Sequence, residues 1–184
     1  MIITHHREKL INAIIYFCQE TSLCNKVKLF KLLYHLDFEH FAQTGRSVTG
    51  LQYYAWPKGP VPVELQQEIE EPKPDMAEKV SFEPQYFKNG GFSLNINPKA
   101  EFDSSSFSKR ELALLKEIAD RYALMKADEM IDSTHLPAHP WDRVYRIEKR
   151  KNQAIPYEYA VTASADHEIL QAAKEHQEML AHYA

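Results

Sequence analysis

One segment, residues 26–43 (KVKLFKLLYHLDFEHFAQ), constrains the fold of this chain more than any other. Read as a helix, it places Lys28, Lys31, His35 and Glu39 on one narrow polar stripe, and nearly all other positions are apolar. A surface helix needs one apolar face, so a helix apolar on most sides must be covered from several directions. It is too short and too charged to span a bilayer, which takes about 20 apolar residues. The sequence therefore predicts a buried central helix that ends at Gly45, a residue suited to a left-handed helix end.

The surrounding segments predict a mainly α-helical fold with a small antiparallel β-sheet, of the α+β class, with its helical core around that central helix. Helices are predicted at residues 5–20 with Thr4 as cap, from near Pro60 to Glu71, at 108–123 with Ser108 and Glu111 in a capping box, at 127–133, after Pro140, and at 165–183. Strands are predicted at 51–56, 79–83 and 92–96, with a turn at Asn89-Gly90-Gly91 and limits set by Pro84 and Pro98.

The length of 184 residues suits one compact domain with a terminal appendage. We predict a domain over residues 1–150 and a mostly helical C-terminal extension over residues 151–184. The last helical pattern is polar enough to lie at the periphery, so the extension packs either on the domain or on a partner.

The charge and the cysteines exclude several classes of protein. A net charge of −4 and a pI near 6.1 do not favour nucleic-acid binding, which usually needs a basic face. Cys18 and Cys24 lack a zinc-binding pattern, and Cys18 continues an apolar stripe, which predicts a buried free thiol. The N-terminus lacks the apolar run of a secretory signal, so we predict a cytoplasmic protein without a membrane segment.

The sequence contains no nucleophile motif such as GxSxG and no phosphate loop. His35 and Glu39 are four residues apart and could act as an acid–base pair or as two metal ligands, but no motif completes a metal site. His135 and His139 are also four apart, and the nearby prolines favour a local role in the turn before Trp141. We therefore predict no enzymatic activity, no metal and no cofactor, with a metal-dependent enzyme as the weaker alternative.

Two clusters of charged residues are predicted to lie on the surface of the protein. Glu64, Glu68 and Glu71 form an acidic row on a predicted helix, either solvated or used in docking. A basic cluster follows Trp141, where cations complement the C-terminal end of a helix or could meet an acidic protein partner. Its members are Arg143, Arg146, Lys149, Arg150 and Lys151.

Residues 28–62 and 107–141 carry the features of a known family. The first stretch reads as a K-L-x-K-L-L-Y helix, a T-G-R turn, an aromatic strand and a W-P-x-G-P-V turn, and the second as a helix-rich segment that leads to a Thr-His and then a Trp. Between about residues 5 and 150 the chain resembles the Panacea domain, the SocA-like or phage-associated antitoxin family. The matching residues are Lys28, Leu29, Lys31, Leu32, Leu33, Tyr34, Thr44, Gly45, Arg46, Trp56, Pro57, Gly59, Pro60, Val61, Thr134, His135 and Trp141.

This resemblance implies a non-enzymatic antitoxin that neutralises a cognate protein toxin by direct contact. Alternatives within the family are an adaptor that delivers the toxin to a cytoplasmic protease, and a phage-associated regulator. Many members carry a further N-terminal domain, DNA-binding in some, whereas few residues precede the first helix predicted here. The resemblance does not decide whether the protein represses its own operon or whether it forms a homo-oligomer.

Hot spots of protein interfaces favour Trp, Tyr and Arg, so a few residues are the first candidates for contact with a partner. They are Arg46, Tyr53, Tyr54, Trp56 and Trp141. The alternative for the two tryptophans is that they fill the core. Lys28, Lys31 and His35 follow as candidates on the polar stripe of the central helix.

Overall fold

The computed structural model of the protein describes residues 4–162 and 167–183. Its helices are α1 (His6–Glu20), α2 (Lys26–Thr44), α3 (Val63–Glu70), α4 (Pro74–Ala77), α5 (Lys109–Tyr122), α6 (Ala127–Thr134), α7 (Pro140–Asp142) and α8 (His167–Tyr183), with a π-helical turn at Arg143–Ile147 and a 3-10 turn at Tyr157–Ala160. Its strands are β1 (Tyr53–Trp56), β2 (Gly59–Pro62), β3 (Val80–Tyr86) and β4 (Phe92–Pro98). The α+β class is confirmed, with two two-stranded antiparallel sheets among the described residues.

Helix α2 lies at the centre of the fold, as its apolar circumference predicts. It contacts α1, α5, α6, α8, β2, β4 and the 3-10 turn. The side chain of Asn25 caps its first turn by accepting a hydrogen bond from the Lys28 amide at 3.0 Å, and Gly45 ends it with φ of 71°. Its buried apolar residues are Leu29, Phe30, Leu32, Leu33, Tyr34, Leu36, Phe38 and Phe41.

The strand after α2 forms a hairpin with the proline-rich segment that follows it. β1 pairs with β2 from Tyr53 opposite Pro62 to Trp56 opposite Gly59. The helix predicted from Pro60 therefore begins only at Val63. Proline is tolerated in an edge strand as well as in a first helical turn, and the pairing with β1 decides between the two.

The second predicted hairpin is confirmed, and its strands are longer than the prolines suggested. β3 pairs with β4 from Val80 opposite Pro98 to Tyr86 opposite Phe92, and the register runs through Pro84. In a two-stranded sheet each strand has one unpaired edge, so a proline can be accommodated where its missing N–H is not needed.

The two predicted N-terminal caps have different outcomes. The capping box of α5 is confirmed, because the Ser108 hydroxyl accepts from the Glu111 amide at 3.2 Å and Glu111 accepts from the Ser108 amide at 2.7 Å. The Thr4 cap of α1 is wrong, since His5 occupies the cap position with φ of 53° and makes no side-chain cap bond. A left-handed residue at the cap places Thr4 outside the first turn.

The chain beyond residue 150 returns to the core before α8. The Ala55 amide donates to the Gln153 carbonyl at 2.9 Å, and the Ile155 amide donates to the Tyr53 carbonyl at 2.8 Å. Tyr157 stacks on Phe38 with ring centroids 4.5 Å apart. The division of the chain at residue 150 stays a prediction, and the predicted start of the last helix at residue 165 lies outside the described residues.

Candidate functional site

The polar stripe of α2 is largely buried, which corrects the interpretation of Lys28 and Lys31 as surface residues. Lys28 is 0% exposed and Lys31 is 2% exposed. The Lys28 ammonium donates to the carbonyls of Ser22 and Ala123 at 2.8 and 3.1 Å, and the Lys31 ammonium donates to the Pro60 carbonyl at 2.7 Å. Both lysines therefore tie α2 to backbone carbonyls of neighbouring segments, and helical spacing alone could not reveal these acceptors.

Lys31 also explains the glycine of the W-P-x-G-P-V turn. Gly59 has φ of 99°, and a Cβ atom there would lie 2.8 Å from Lys31 Cε and 2.9 Å from the Thr134 hydroxyl oxygen. A larger residue would therefore be strained and would push the turn off α2. Burial lowers the pKa of Lys31 to about 7.

Asp37, on another side of α2, organises the loop that leads to β1. It accepts hydrogen bonds from the amides of Val48 and Thr49 at 2.8 and 2.7 Å and from the hydroxyls of Thr49 and Tyr53 at 2.5 and 2.7 Å. Burial raises the pKa of Asp37 to about 6, although these four donors favour the ionised form. The Tyr53 side chain is fully buried in this cluster.

Trp141 is a core residue, 1% exposed. Its ring is stacked between His135, at 3.8 Å between centroids, and Tyr145, at 4.7 Å. Its indole N–H donates to the Trp56 carbonyl at 2.9 Å, which joins the two tryptophan segments. His135 therefore contributes to the local packing around Trp141, and a local role is what the nearby prolines predict.

The remaining partner-binding candidates reach the surface to different degrees. Arg46 is exposed, and Tyr54 and Trp56 are half-buried. The Tyr54 hydroxyl donates to the Gln52 side chain at 2.9 Å. Of the aromatic candidates on β1, only Tyr54 and Trp56 can therefore reach a partner without unfolding of the hairpin.

His35 borders a cavity of about 300 Å³ between α2, α5 and α6. Its Nδ1 lies 3.2 Å from a Glu39 carboxylate oxygen, and its Nε2 lies 3.0 Å from the Ser133 hydroxyl. Arg121 donates to the same Glu39 oxygen at 2.7 Å. The i,i+4 contact predicted for His35 and Glu39 is thus present, and Ser133 and Arg121 extend it.

Serine, histidine and glutamate in this order resemble a nucleophilic relay, but the details favour a structural network. The Ser133 hydroxyl also lies 2.8 Å from the Met130 carbonyl, to which it can donate. Burial lowers the pKa of His35. Burial would raise the pKa of Glu39, but hydrogen bonds from His35 and Arg121 lower it overall, so neither group is a strong base.

The cysteines and the basic cluster have internal partners. Cys18 and Cys24 are free, half-buried thiols with sulfur atoms 3.1 Å apart.

In the basic cluster, Arg143 and Arg150 donate to Glu148 at 3.3 and 3.2 Å. This surface is therefore less positive than its composition suggests.

The sequence interpretation missed a set of exposed aromatic residues on the second hairpin. Tyr86 is 76% exposed, Phe87 47% and Phe92 63%, and the rings of Tyr86 and Phe92 lie 6.0 Å apart. The available signal was their position beside the Asn89-Gly90-Gly91 turn, because side chains at a hairpin tip cannot all reach the core. Exposed apolar groups of this kind often mark interaction sites.

Residues 4–162 and 167–183 contain no group of three or more histidine, cysteine, aspartate or glutamate side chains placed to hold a metal ion. In the same ranges, no helix is long and apolar enough to cross a membrane. The fold and its sites define a helical domain built on a central buried helix, whose polar groups mostly fix backbone segments.

Comparison with protein families identifies this domain. Residues 29–142 match the model described as "Antitoxin SocA-like, Panacea domain". The match covers more than half of the chain, and the protein belongs to this family. No curated protein and no solved structure matches the chain.

Proposed function

We propose that this protein is an antitoxin that neutralises a cognate protein toxin by direct contact. The observation that carries the proposal is the family match over residues 29–142, which covers the segment from α2 to α7. In support, Lys31, Asp37 and Trp141 hold the domain together, which leaves recognition to side chains outside the core.

We place the toxin contact first at Arg46, Tyr54 and Trp56, the exposed or half-buried members of the aromatic and arginine set. The second candidate surface is the hairpin tip with Tyr86, Phe87 and Phe92. Tyr54 and Trp56 lie on the first hairpin and the tip residues on the second, so substitutions can test the two surfaces separately.

Co-expression with the product of the adjacent gene tests this function. The product alone should arrest growth, and growth should recover with this protein, with a complex that co-elutes on gel filtration. Trp56→Ala and Tyr54→Ala should weaken rescue at unchanged expression, whereas Tyr86→Ala and Phe92→Ala should do so if the hairpin tip makes the contact.

Two results would contradict direct neutralisation. A harmless neighbouring product that forms no complex would exclude the antitoxin role for that pair. Rescue that depends on a cytoplasmic protease, with a shortened toxin half-life, would assign the adaptor role instead. The melting temperature of each variant must match the parent protein, so that loss of rescue is not loss of folding.

A further inference from the structure

A second pocket, of about 670 Å³, lies between the N-terminal ends of α1 and α5, the C-terminal end of α2, and α8. It is distinct from the His35 cavity and from both candidate toxin surfaces except at Arg46. Seven of its described lining residues carry a cationic or imidazole side chain: His5, His6, Lys9, His40, Arg46, Arg110 and His176. Four separate elements or their flanking turns bring these side chains together.

The charge balance of this pocket is positive although the whole chain carries −4. Among its described lining residues are Lys9, Arg46 and Arg110 and one carboxylate, that of Glu111. Glu111 is already occupied, because it accepts from the Lys9 ammonium and the Ser108 amide, both at 2.7 Å. In the described part of the chain, the guanidinium groups of Arg46 and Arg110 make no hydrogen bond or ion pair. Among the described residues of the pocket, Arg46 and Arg110 therefore have no carboxylate paired with them.

Two histidines and a helix end contribute to the lining in different ways. The Nδ1 atom of His176 is buried without a hydrogen-bond partner, and a buried polar atom left unpaired is unfavourable. The Nδ1 atom of His40 donates to the Arg46 carbonyl at 2.7 Å, so Nε2 of the neutral ring is an acceptor and His40 adds no donor for an anion. The first turn of α1 has no side-chain cap, so its amides add positive potential at this end of the helix.

We infer that this pocket binds the phosphate group of a small phosphorylated molecule. Guanidinium groups recognise phosphate oxygens through paired N–H donors, and a tetrahedral anion can accept from several directions at once. A phosphate alone does not fill 670 Å³, so the volume leaves room for an organic group beside Phe107, which also lines the pocket. The site does not depend on toxin binding.

Calorimetric titration with inorganic phosphate and with AMP, at pH 7 and low salt, tests the site. At least one probe should bind, and Arg46→Gln and Arg110→Gln should each weaken binding about tenfold or more. Arg143→Gln is the matched control, because Arg143 is an exposed arginine outside the pocket. Its affinity should equal that of the parent protein. The imidazole NMR signals of His176 should shift on addition of the bound probe.

Several results would overturn the inference. They are the absence of binding by both probes, binding that survives both pocket substitutions, and an equal loss in Arg143→Gln. A short polyglutamate peptide that binds as tightly as the phosphate probes would also overturn it, because the pocket would then be a docking point for an acidic protein segment. Arg46 and Arg110 are exposed, so melting temperatures should confirm that both variants fold.

Discussion

At the scale of single residues, three charged side chains of α2 form hydrogen bonds with backbone groups of other segments. Lys28 meets the carbonyls of Ser22 and Ala123, Lys31 meets that of Pro60, and Asp37 receives amide donors from the loop before β1. Buried polar groups are costly unless paired, and each of these groups pairs with backbone from another segment. Lys28 and Lys31, which the sequence places on a polar stripe, and Asp37, on another side of α2, therefore specify the fold.

The pKa of Lys31 leads to a pH prediction. Its folded value of about 7 lies below the ordinary 10.5, so between pH 7 and 10.5 the unfolded chain binds more protons than the folded chain. The contribution of Lys31 to the free energy of unfolding should therefore rise with pH in this window, by up to about 5 kcal/mol. The free energy of unfolding of the Lys31→Met variant should lack this rise with pH.

Urea denaturation of the parent protein and of Lys31→Met at pH 7, 8, 9 and 10 measures the difference. Lys116→Met is the control, because Lys116 is an exposed lysine paired with Asp120, and its pH dependence should follow the parent protein. Equal slopes for Lys31→Met and the parent protein would show that Lys31 keeps an ordinary pKa in the folded state.

At the scale of elements, the C-terminal end of α2 also forms a close packing contact with α8. Gly45 has φ of 71°, and a Cβ atom there would lie 2.7 Å from the Ile169 carbonyl oxygen and 2.9 Å from the Ala173 amide nitrogen, both in the backbone of α8. A rigid backbone cannot yield as a flexible side chain can. One glycine therefore serves both the left-handed helix end and a close approach of two helices.

Gly45→Ala should destabilise the protein and loosen α8. Gly90→Ala is a matched control, because Gly90 also has positive φ, 84°, but nothing lies within 4 Å of its added Cβ. The control should lose about 1 kcal/mol from backbone strain, and Gly45→Ala should lose at least about 1 kcal/mol more. Thermal unfolding gives the loss, and hydrogen exchange should show faster exchange in α8 only for Gly45→Ala. Equal losses in both variants would contradict the tight contact.

At the scale of the whole molecule, the two parts of the chain beyond residue 150 differ in how they join the core. The segment before α8 pairs with β1, and the Tyr157 ring stacks on Phe38 and on Phe41. In the described part of α8, by contrast, Ala173 is the one apolar residue that is buried. Leu170 and Met179 are 38% and 39% exposed. The boundary of the domain should therefore lie after residue 160.

Two truncations test this boundary. A chain that ends after residue 162 should lose about 1–2 kcal/mol, which is a fall of roughly 2–8 °C in melting temperature at this size. A chain that ends after residue 151 should lose several kcal/mol or fail to fold, because it lacks the partner of β1 and the Tyr157 ring. Similar melting temperatures for the two truncations would support a boundary at residue 150.

Local patterns in the sequence predicted much of the fold. The apolar circumference of residues 26–43 indicated a covered helix, and Ser108 with Glu111 indicated a helix start, because both signals lie within a few turns of chain. The same holds for the turn at Asn89-Gly90-Gly91. The family motif is equally local and pointed to the Panacea domain, to which the chain belongs.

The tertiary structure alone decided which partners the polar side chains of these elements contact. Lys31 reaches Pro60, which is 29 residues away, and the free cations Arg46 and Arg110 share a pocket with His176. Helical periodicity fixes which side of α2 a lysine occupies, but its partner depends on segments that only folding brings near. The sequence by itself therefore determined the elements and the family, and the packing of distant segments decided which charges are buried and which line a pocket.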